Sequence, residues 1–378
     1  MKILYIFRSL AVWGGIERIL VEKMNQLVTM YGYEVYLLTT DQGNHPVPYR
    51  LEKGVHHEDL CIRFHQQYKY PIIQRQLVSN HLKKQFEQRL SERLSTIRPN
   101  IITCTTANYV DLGCIVRQKK NIPLVVESHS ICRRTLGHGN SWLARKWNRH
   151  QYLRSLKKAN VLVALTEGDA ADWKQFHPSV QVIPNMVSLN EGACSEQNQK
   201  RVIFVGRLDY QKRPMEAIRI WQMVWPHHQD WQLDIYGEGE QRQEIEETAD
   251  QLNMNIHVHQ PTGNIFDCYR ESSILVSTSL FEPFGLVLPE AMSCGVPVIA
   301  YNCLFGPSSI VTDGKDGFLV ANGDHQAFSD RLCLLMSDDT LRKEMGQRAI
   351  KTSLRFSANT IMPLWNQLLK ETYNLQMR

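Results

Sequence analysis

Short apolar runs rich in β-branched residues alternate with longer amphipathic stretches along the 378-residue chain. This alternation is typical of βαβ units, in which buried parallel strands are joined by helices. In the first half of the chain, strands are predicted at residues 3–7, 34–38, 101–104, 124–127, 161–165 and 180–183. In the second half, strands are predicted at residues 201–205, 231–236, 256–259, 274–277, 296–300 and 317–320.

The stretches between the strands carry helical periodicity, most clearly at residues 16–30 and 80–97. Because the strand pattern restarts after the weakly apolar segment 188–200, that segment is the predicted linker. The fold class is thus predicted as α/β, with two doubly wound, Rossmann-like domains facing each other across a cleft. They comprise residues 1–187 and 201–356, and a C-terminal helix over about 357–378 is a candidate to pack back on the first of them.

The composition is that of a globular protein, with 43% apolar and 21% charged residues. The chain has no run of about 18 apolar residues, so we predict no membrane-spanning helix. The N-terminal apolar run ends at Arg8, which is too early for a signal peptide. Nine scattered cysteines without a Cys-x-x-Cys pair suit reduced thiols in a cytoplasmic protein.

The net charge of +5 conceals an uneven distribution. Residues 1–185 carry a net charge of +12, whereas residues 186–378 carry −7. Opposite signs in the two halves indicate that the first half meets an anionic partner, with surface solvation as the simpler alternative.

The turn after the predicted strand 274–277 has the chemistry of a binding site. Ligands of doubly wound sheets bind at the carboxyl ends of strands, where helix N-termini expose backbone N–H groups. A helix is predicted from residue 284 or 285 to 294, with Pro289 in its first turn. Glu282 and Glu290 would then accept hydrogen bonds from sugar and ribose hydroxyls, unless they are only a helix cap and a surface glutamate. The N–H groups of Phe284, Gly285 and Leu286 form the predicted anion site.

A second candidate turn follows the predicted strand 201–205. Gly206 permits close approach to a ligand, and both Arg207 and Lys212 could reach a diphosphate. Two fixed cations would stabilise the charge that develops on a departing nucleoside diphosphate without a metal ion. The alternative is a solvated basic turn.

A third turn, at Gly14 and Gly15, lies between the first strand and the helix at 16–30. It permits a phosphate or a sugar to approach the backbone at a helix N-terminus. Since it is not Gly-x-Gly-x-x-Gly, it argues against a dinucleotide oxidoreductase.

Together, these turns resemble the retaining glycosyltransferases of family 4, which have the GT-B fold. The matching segments, in chain order, are Gly14-Gly15-x-Glu17, Glu127-Ser-His-Ser130, residues 183–187, Gly206-Arg207 with Lys212, and Glu282-x7-Glu290. Residues 302–317 are similar to a branch that builds bacterial surface polysaccharides from UDP-sugars. The resemblance implies a metal-independent enzyme without a cofactor that moves a hexose or N-acetylhexosamine to a glycan or a polyprenyl-diphosphate-linked acceptor. The chain has no Asp-x-Asp metal motif, in keeping with this family.

The resemblance also implies a role for each matching residue. Arg207 and Lys212 would hold the diphosphate, and Glu290 the ribose. Glu282 and the backbone at 284–286 would hold the donor hexose, with His129 near its C6 hydroxyl or the reacting carbon. The implied catalytic set is Glu282, His129, Arg207 and Lys212, and the donor site includes Gly14, Gly15, Arg207, Lys212, Phe284, Gly285, Leu286 and Glu290. The base-binding turn falls at His259, Gln260 and Thr262, where Gln260-Pro261 replaces the family's usual glycine.

Residues 133–158 form a basic window with eight Lys or Arg residues and no acidic residue. It also contains Trp142, Trp147 and Tyr152. Basic and aromatic residues together predict peripheral contact with an anionic membrane on its cytoplasmic side, or with an acceptor that carries a lipid diphosphate. The alternative is a solvated helix with two core tryptophans. Nothing in the chain resembles a nucleic-acid-binding module, so no nucleic acid is predicted as a partner.

Three other functions remain compatible with the sequence. A GDP-mannose-dependent mannosyltransferase would use the same residues with a different base. A GT-B protein of another activity, such as an epimerase or a phosphorylase, would share the fold. A non-catalytic sugar binder would keep the site without the reaction.

Overall fold

The computed structural model describes residues 1–105, 111–137 and 142–377, and the chain divides into two compact units. The first unit contains Met1–Met186 together with the chain from Ile361 onward, and the second contains Val187–Thr360. All nine cysteines lie in the described ranges, and none forms a disulfide there. Within those ranges, we find no helix with the length and apolarity that a bilayer span requires.

The first unit has a seven-stranded parallel sheet. Its strands are β1 (Lys2–Phe7), β2 (Glu34–Thr39), β3 (Val55–Asp59), β4 (Ile101–Thr105), β5 (Leu124–Glu127), β6 (Val161–Ala164) and β7 (Val180–Val182), in the spatial order β3-β2-β1-β4-β5-β6-β7. Its helices are α1 (Gly15–Tyr31), α2 (Ile72–Ile97), α3 (Leu112–Gln118), α4 (Cys132–Leu136), α5 (Trp142–Leu156) and α6 (Glu167–Lys174).

The two faces of this sheet differ in polarity. Alternate residues of a strand point to opposite faces, and Ile102, Cys104 and Val126 belong to the apolar core that includes α2 and α3. The register pairs Tyr5 with Thr103 and Thr105 with Glu127, which places these four polar side chains together on the other face. All four are buried. The first unit therefore has a polar layer inside it, near the carboxyl ends of its central strands.

The second unit repeats the architecture with a six-stranded parallel sheet. Its strands are β8 (Arg201–Val205), β9 (Gln232–Tyr236), β10 (Ile256–His259), β11 (Ile274–Ser277), β13 (Val298–Tyr301) and β15 (Gly317–Val320), in the order β10-β9-β8-β11-β13-β15, and β12 (Phe281–Glu282) pairs separately with β14 (Leu304–Phe305). Its helices are α7 (Pro214–Val224), α8 (Arg242–Leu252), α9 (Ile265–Arg270), α10 (Val287–Ser293), α11 (Gly306–Ile310), α12 (His325–Ser337) and α13 (Asp339–Ser353). The C-terminal helix α14 (Ala358–Met377) clusters with the first unit from Ile361 onward.

Each sheet has one point at which the chain reverses its direction of strand addition. In the first unit this point lies between β1 and β4, and in the second unit it lies between β8 and β11. Loops that leave adjacent parallel strands on opposite sides of the sheet open a crevice there, which is where doubly wound folds bind ligands. The topology therefore predicts ligand binding at the loops after β1, β4, β8 and β11.

The strand predictions are confirmed for all twelve runs, to within a few residues at their ends. The two-residue strands β12 and β14 and the longer strand β3 were not predicted. β3 is an edge strand whose His56 and Glu58 side chains are exposed and which has no apolar run. The helix predicted at residues 16–30 is α1, whereas α2 begins at Ile72, eight residues before the predicted start.

Candidate functional site

The loops after β8 and β11 are joined by hydrogen bonds at the reversal point of the second sheet. The hydroxyl of Thr278 donates to the carbonyl oxygen of Arg213 at 2.9 Å, and the N–H of Leu280 donates to the carbonyl of Gln211 at 2.8 Å. Thr278 is fully buried. Hydrogen bonds thus join two loops that are about 70 residues apart in the chain into one wall.

Lys212 and Glu282 meet across this wall. The ammonium group of Lys212 forms an ion pair with Oε1 of Glu282, and the hydroxyl of Ser279 donates to the same oxygen at 2.7 Å. Glu282 is only 4% exposed, and its strand β12 is held by pairing with β14. The aliphatic stem of Lys212 lies over Gly206, where a Cβ would come 3.3 Å from Cγ of the lysine. The glycine therefore makes room for the lysine as well as for a turn.

Arg207 takes a different position in the same loop. Its side chain is 64% exposed, and Nη2 lies 3.0 Å from a carboxylate oxygen of Asp209 and 3.0 Å from the amide oxygen of Gln211. Both predicted diphosphate-binding cations thus have acidic partners in this structure. A bound diphosphate would have to compete with Asp209 and Glu282 for them.

Glu290 is almost completely buried, at 2% exposure. Its Oε2 accepts a hydrogen bond at 3.2 Å from the hydroxyl of Tyr269, which is also buried. The alternative of a surface glutamate is therefore wrong. The helix α10 begins at Val287, two or three residues later than predicted, and Pro289 lies in its first turn as expected. Gly285, with a φ of +99°, supplies the backbone conformation of the turn that other residues rarely adopt.

Two residues of the predicted base-binding turn, His259 and Thr262, contact other residues of the second unit. The ring of His259 stacks on Tyr236 with centroids 4.4 Å apart, and its Nε2 lies 2.6 Å from a carboxylate oxygen of Asp234. Thr262 accepts a hydrogen bond from the N–H of Asn264, and Gln260 is exposed. Tyr236 and Asp234 thus both hold the His259 ring in place.

In the turn at Gly14 and Gly15, neighbouring side chains occupy the space beside the backbone. The N–H of Gly14 donates to the hydroxyl of Tyr49 at 2.8 Å, and Gly15 is the first residue of α1. The carboxylate of Glu17 lies against Gly14, since a Cβ on this glycine would come 2.0 Å from Oε2. Burial raises the pKa of Glu17. A phosphate that approached the backbone at Gly14 would therefore meet this carboxylate first.

His129 is buried at the carboxyl end of β5, where its Nε2 lies 3.1 Å from Oε2 of Glu127. Lys23 of α1 forms an ion pair with the same carboxylate oxygen. Glu127 was identified only as part of a motif, and Lys23 was not singled out at all. The sequence signal that could have identified Lys23 is its position on the apolar face of α1, where it lies between the buried residues Leu20 and Leu27.

The loop that carries His129 is fixed from a second side by Asp169. One oxygen of this carboxylate accepts the N–H of Cys132 at 2.7 Å, and the other accepts the indole N–H of Trp173 at 3.0 Å. Burial raises the pKa of Asp169 to about 6 despite these bonds. Sequence reasoning missed this anchor, because its position as third residue in α6 explains it equally well as a helix-capping acid.

In the basic window at residues 133–158, residues 138–141 lie outside the described part of the chain. The side chains of Trp142 and Trp147 in α5 are 70% and 65% exposed, which contradicts the alternative of two core tryptophans. Tyr152 packs against the apolar core instead.

Among the described residues, no group of three or more His, Cys, Asp or Glu side chains could hold a metal ion.

Two family matches cover most of the chain. Residues 13–191 match "Glycosyltransferase Family 4", and residues 192–352 match "Glycosyl transferases group 1". The chain belongs to the group 1 glycosyltransferases. The predicted family resemblance is thereby confirmed for the group 1 glycosyltransferases, and the matched ranges contain every predicted site residue.

Relatives of this group 1 glycosyltransferase include enzymes of bacterial surface glycans. The amylovoran biosynthesis glycosyltransferase AmsD of Erwinia amylovora is 34% identical over 175 residues, which are 46% of this chain and 49% of AmsD. This chain thus spans about half the length of that relative. A Campylobacter jejuni α-1,4-N-acetyl-D-galactosaminyltransferase, named for a diNAcBac-PP-undecaprenol-linked acceptor, is 25% identical over 99% of each chain.

The fold is shared with solved glycosyltransferase structures. A Staphylococcus aureus TarM variant, crystallised with Fondaparinux, α-GlcNAc-glycerol and UDP, superimposes with a TM-score of 0.78 and 16% identity, over 97% of this chain and 99% of that one. At this identity the likeness shows the fold alone, and it confirms the predicted GT-B fold of this group 1 glycosyltransferase.

Proposed function

We propose that this protein is a retaining, metal-independent glycosyltransferase that moves a hexose or N-acetylhexosamine from a UDP-sugar to a glycan or lipid-linked acceptor of a bacterial surface polysaccharide. The observation that carries the proposal is the wall formed by the loops after β8 and β11. It brings Lys212 next to Glu282 at the reversal point of the second sheet. Family membership and the relatives' acceptors support the same reaction class.

The charges of this wall suit a nucleoside diphosphate as leaving group. Lys212 is held in place by Glu282, and Arg207, five residues earlier in the same loop, is exposed. As the bond from C1 to the diphosphate oxygen breaks, negative charge grows on that oxygen, and preorganised cations lower the barrier. In front-face attack, this oxygen accepts the acceptor's proton while the new C1–oxygen bond forms on the same side. The configuration at C1 is then retained.

Glu282 is assigned an orienting role in this proposal. Its Oε1 already accepts a hydrogen bond from Ser279 and pairs with Lys212, and both contacts lower the nucleophilicity of the carboxylate. Glu290 is assigned to the ribose hydroxyls, with Tyr269 holding its Oε2. Both assignments follow the family resemblance and the burial of the two carboxylates.

A nucleotide-sugar panel tests the proposal directly. We expect UDP and one UDP-sugar to raise the melting temperature of the protein, by the equivalent of about 2.7 kcal/mol at a ligand concentration of a hundred times Kd. Glu290→Gln should remove most of this stabilisation, because one ribose acceptor becomes a weaker amide. The matched control is Glu271→Gln, on an exposed glutamate of the same unit that pairs with Arg201.

The outcome of the panel separates the remaining functions. Stabilisation by GDP-sugars alone would favour the mannosyltransferase, and stabilisation without release of UDP in the presence of acceptors would favour a sugar binder. Activity that requires free phosphate would indicate a phosphorylase. The anomeric configuration of the product, read by NMR, decides retention.

We also propose that α5 contacts an anionic membrane surface. Trp142, Leu143 and Trp147 expose their side chains on a helix with several basic residues and no acidic one. Aromatic side chains favour the interface between lipid and water, and each nearby Lys or Arg adds about 1 kcal/mol at an anionic leaflet. The net positive charge of residues 1–185 is of the sign that this contact requires.

Vesicle flotation checks the membrane contact. The protein should float with vesicles that contain phosphatidylglycerol and not with vesicles of phosphatidylcholine alone. The double variant Trp142→Ala/Trp147→Ala should reduce the partition coefficient on the order of tenfold, because it removes two indole rings that the lipid would partly bury. Trp13→Ala is the control, since Trp13 is as exposed but lies outside the window. Equal flotation with both lipids, or an equal effect of the control, would contradict the proposal.

A further inference from the structure

A lysine, a carboxylate and an imidazole are buried together in the first unit. Lys23 and Glu127 each have 2% of their side chain exposed, and His129 has 3%. The ammonium group of Lys23 and Nε2 of His129 both contact Oε2 of Glu127, the latter at 3.1 Å. Since buried charges are costly unless they are paired, this shared oxygen fixes the three side chains relative to the end of β5.

The direction of the His129 hydrogen bond follows from the charge of Glu127. Burial raises the pKa of Glu127, but the charge of Lys23 and the hydrogen bond from His129 outweigh it, and the pKa lies below its usual value. An ionised carboxylate can only accept hydrogen bonds. The hydrogen of the imidazole must therefore be on Nε2, which leaves Nδ1 of the neutral ring without one.

Lys23 determines how strongly Glu127 acts on the ring. A lone buried carboxylate next to a histidine would favour the doubly protonated imidazolium. Lys23 already compensates this charge, and its Nζ lies 4.0 Å from the centroid of the Trp365 ring of α14 and 5.4 Å from that of Tyr5. The carboxylate can thus orient the imidazole through the hydrogen bond while Lys23 balances its charge.

The backbone around His129 does not depend on this cluster. Asp169 binds the N–H of Cys132, and the hydroxyl of Ser128 donates to the carbonyl oxygen of Ser130 at 2.7 Å. These bonds hold the loop, whereas the Lys23–Glu127 pair holds the imidazole ring. Among the described residues, none bonds Nδ1 of His129.

We infer that Lys23 and Glu127 are positioning residues that keep His129 in the neutral Nε2–H tautomer, so that Nδ1 accepts a hydrogen bond from a hydroxyl of the sugar substrate. His129 then acts as an acceptor that orients the sugar and not as a general acid. The identity of the ligand as a sugar rests on the proposed function, whereas the tautomer does not.

The tautomer can be read in the free, full-length protein. With 15N-labelled histidine at pH 7.5, long-range 1H–15N correlation spectra distinguish the protonated from the unprotonated ring nitrogen. His129 is one of 14 histidines, and its signals are identified by their loss in His129→Asn. We expect a proton on Nε2 and none on Nδ1. A proton on Nδ1, an even mixture or an imidazolium pattern would overturn the inference, and this reading needs no other variant to fold.

Glu127→Gln tests the positioning role. The amide carries no charge and can turn its NH2 group toward the ring, so the preference for the Nε2–H tautomer should weaken. With the sugar poorly oriented, kcat should fall by about tenfold or more, while the Kd for UDP changes less than about twofold. Glu58→Gln is the control, on an exposed glutamate of β3 that pairs with Arg93. It should change neither quantity.

The two hypotheses fail in different ways. If His129 shows the expected tautomer but no nucleotide sugar binds, the proposed function is wrong and the positioning of His129 remains. If the protein transfers sugar while Nδ1 carries the proton, or if Glu127→Gln leaves both tautomer and kcat unchanged, the positioning inference is wrong and the transferase remains.

Discussion

Replacing Arg207 with glutamine is expected to lower the rate of glycosyl transfer about a hundredfold or more, without a change in stability. The physical reason is the loss of a fixed cation at the oxygen on which charge develops. Losing one such preorganised hydrogen-bond donor raises the activation free energy by about 3 kcal/mol. Arg207 is largely exposed and its partners Asp209 and Gln211 are in the same loop. An exposed ion pair contributes little to folding, so the variant should melt near the parent temperature.

Lys212→Met should lower the rate to a similar extent. It also removes the cation next to buried Glu282, which leaves the charge of this carboxylate uncompensated. The double variant Lys212→Met/Glu282→Gln relieves this uncompensated charge, and it should recover stability without recovering kcat. The control for both single changes is Arg348→Gln, since Arg348 is exposed and pairs with Glu344 on α13. The measurement is the initial rate with saturating donor and acceptor. A rate within threefold of the parent for Arg207→Gln would contradict the assigned role.

Much of the fold is visible in the sequence because the strands of a parallel sheet are covered on both faces. A strand such as β6 is then a continuous apolar run, and all four of its residues are buried. The edge strand β3 has no such signature, since only Val55 of its five residues is buried. Element boundaries also follow local rules, as where α10 begins after the left-handed Gly285.

The site was predictable in its location and less so in its contacts. Strand order places the loops after β8 and β11 side by side, so the proximity of residues near 212 and 282 follows from a doubly wound topology. The pairing of Lys212 with Glu282 does not follow, because either side chain could have faced solvent. At the Gly14 turn, the sequence predicts that a phosphate or a sugar can approach the backbone. It does not reveal that the side chain of Glu17, three residues later, lies in the space beside this glycine.

The buried polar layer of the first unit could not be predicted from local pattern at all. A lysine among apolar helix positions is ordinarily a side chain that extends to solvent. Lys23 is buried only because Glu127 ends the strand below it and Trp365 arrives from the far end of the chain. Burial of a charge is thus decided by tertiary partners, which sequence spacing does not identify.

Lys23→Met is expected to lower the free energy of unfolding of the first unit by about 3–5 kcal/mol, the usual effect of removing one partner of a buried ion pair. Methionine has a similar length and can occupy the same space beside Trp365, so packing changes little. What remains is the carboxylate of Glu127, buried with only His129 as a partner for Oε2. Urea unfolding monitored by tryptophan fluorescence measures the difference.

Two further variants separate charge from packing in this prediction. Lys2→Met removes a lysine whose partner Glu34 is exposed, and it should cost at most about 1 kcal/mol. The double variant Lys23→Met/Glu127→Leu replaces the whole ion pair by apolar side chains, and such replacements are often neutral or stabilising. It should therefore recover most of the lost stability, yet its kcat should stay low because His129 has lost the carboxylate that orients it. If the double variant recovered full activity as well, the ion pair would be only a structural element of the core, and the link between Lys23, Glu127 and His129 would have no part in catalysis.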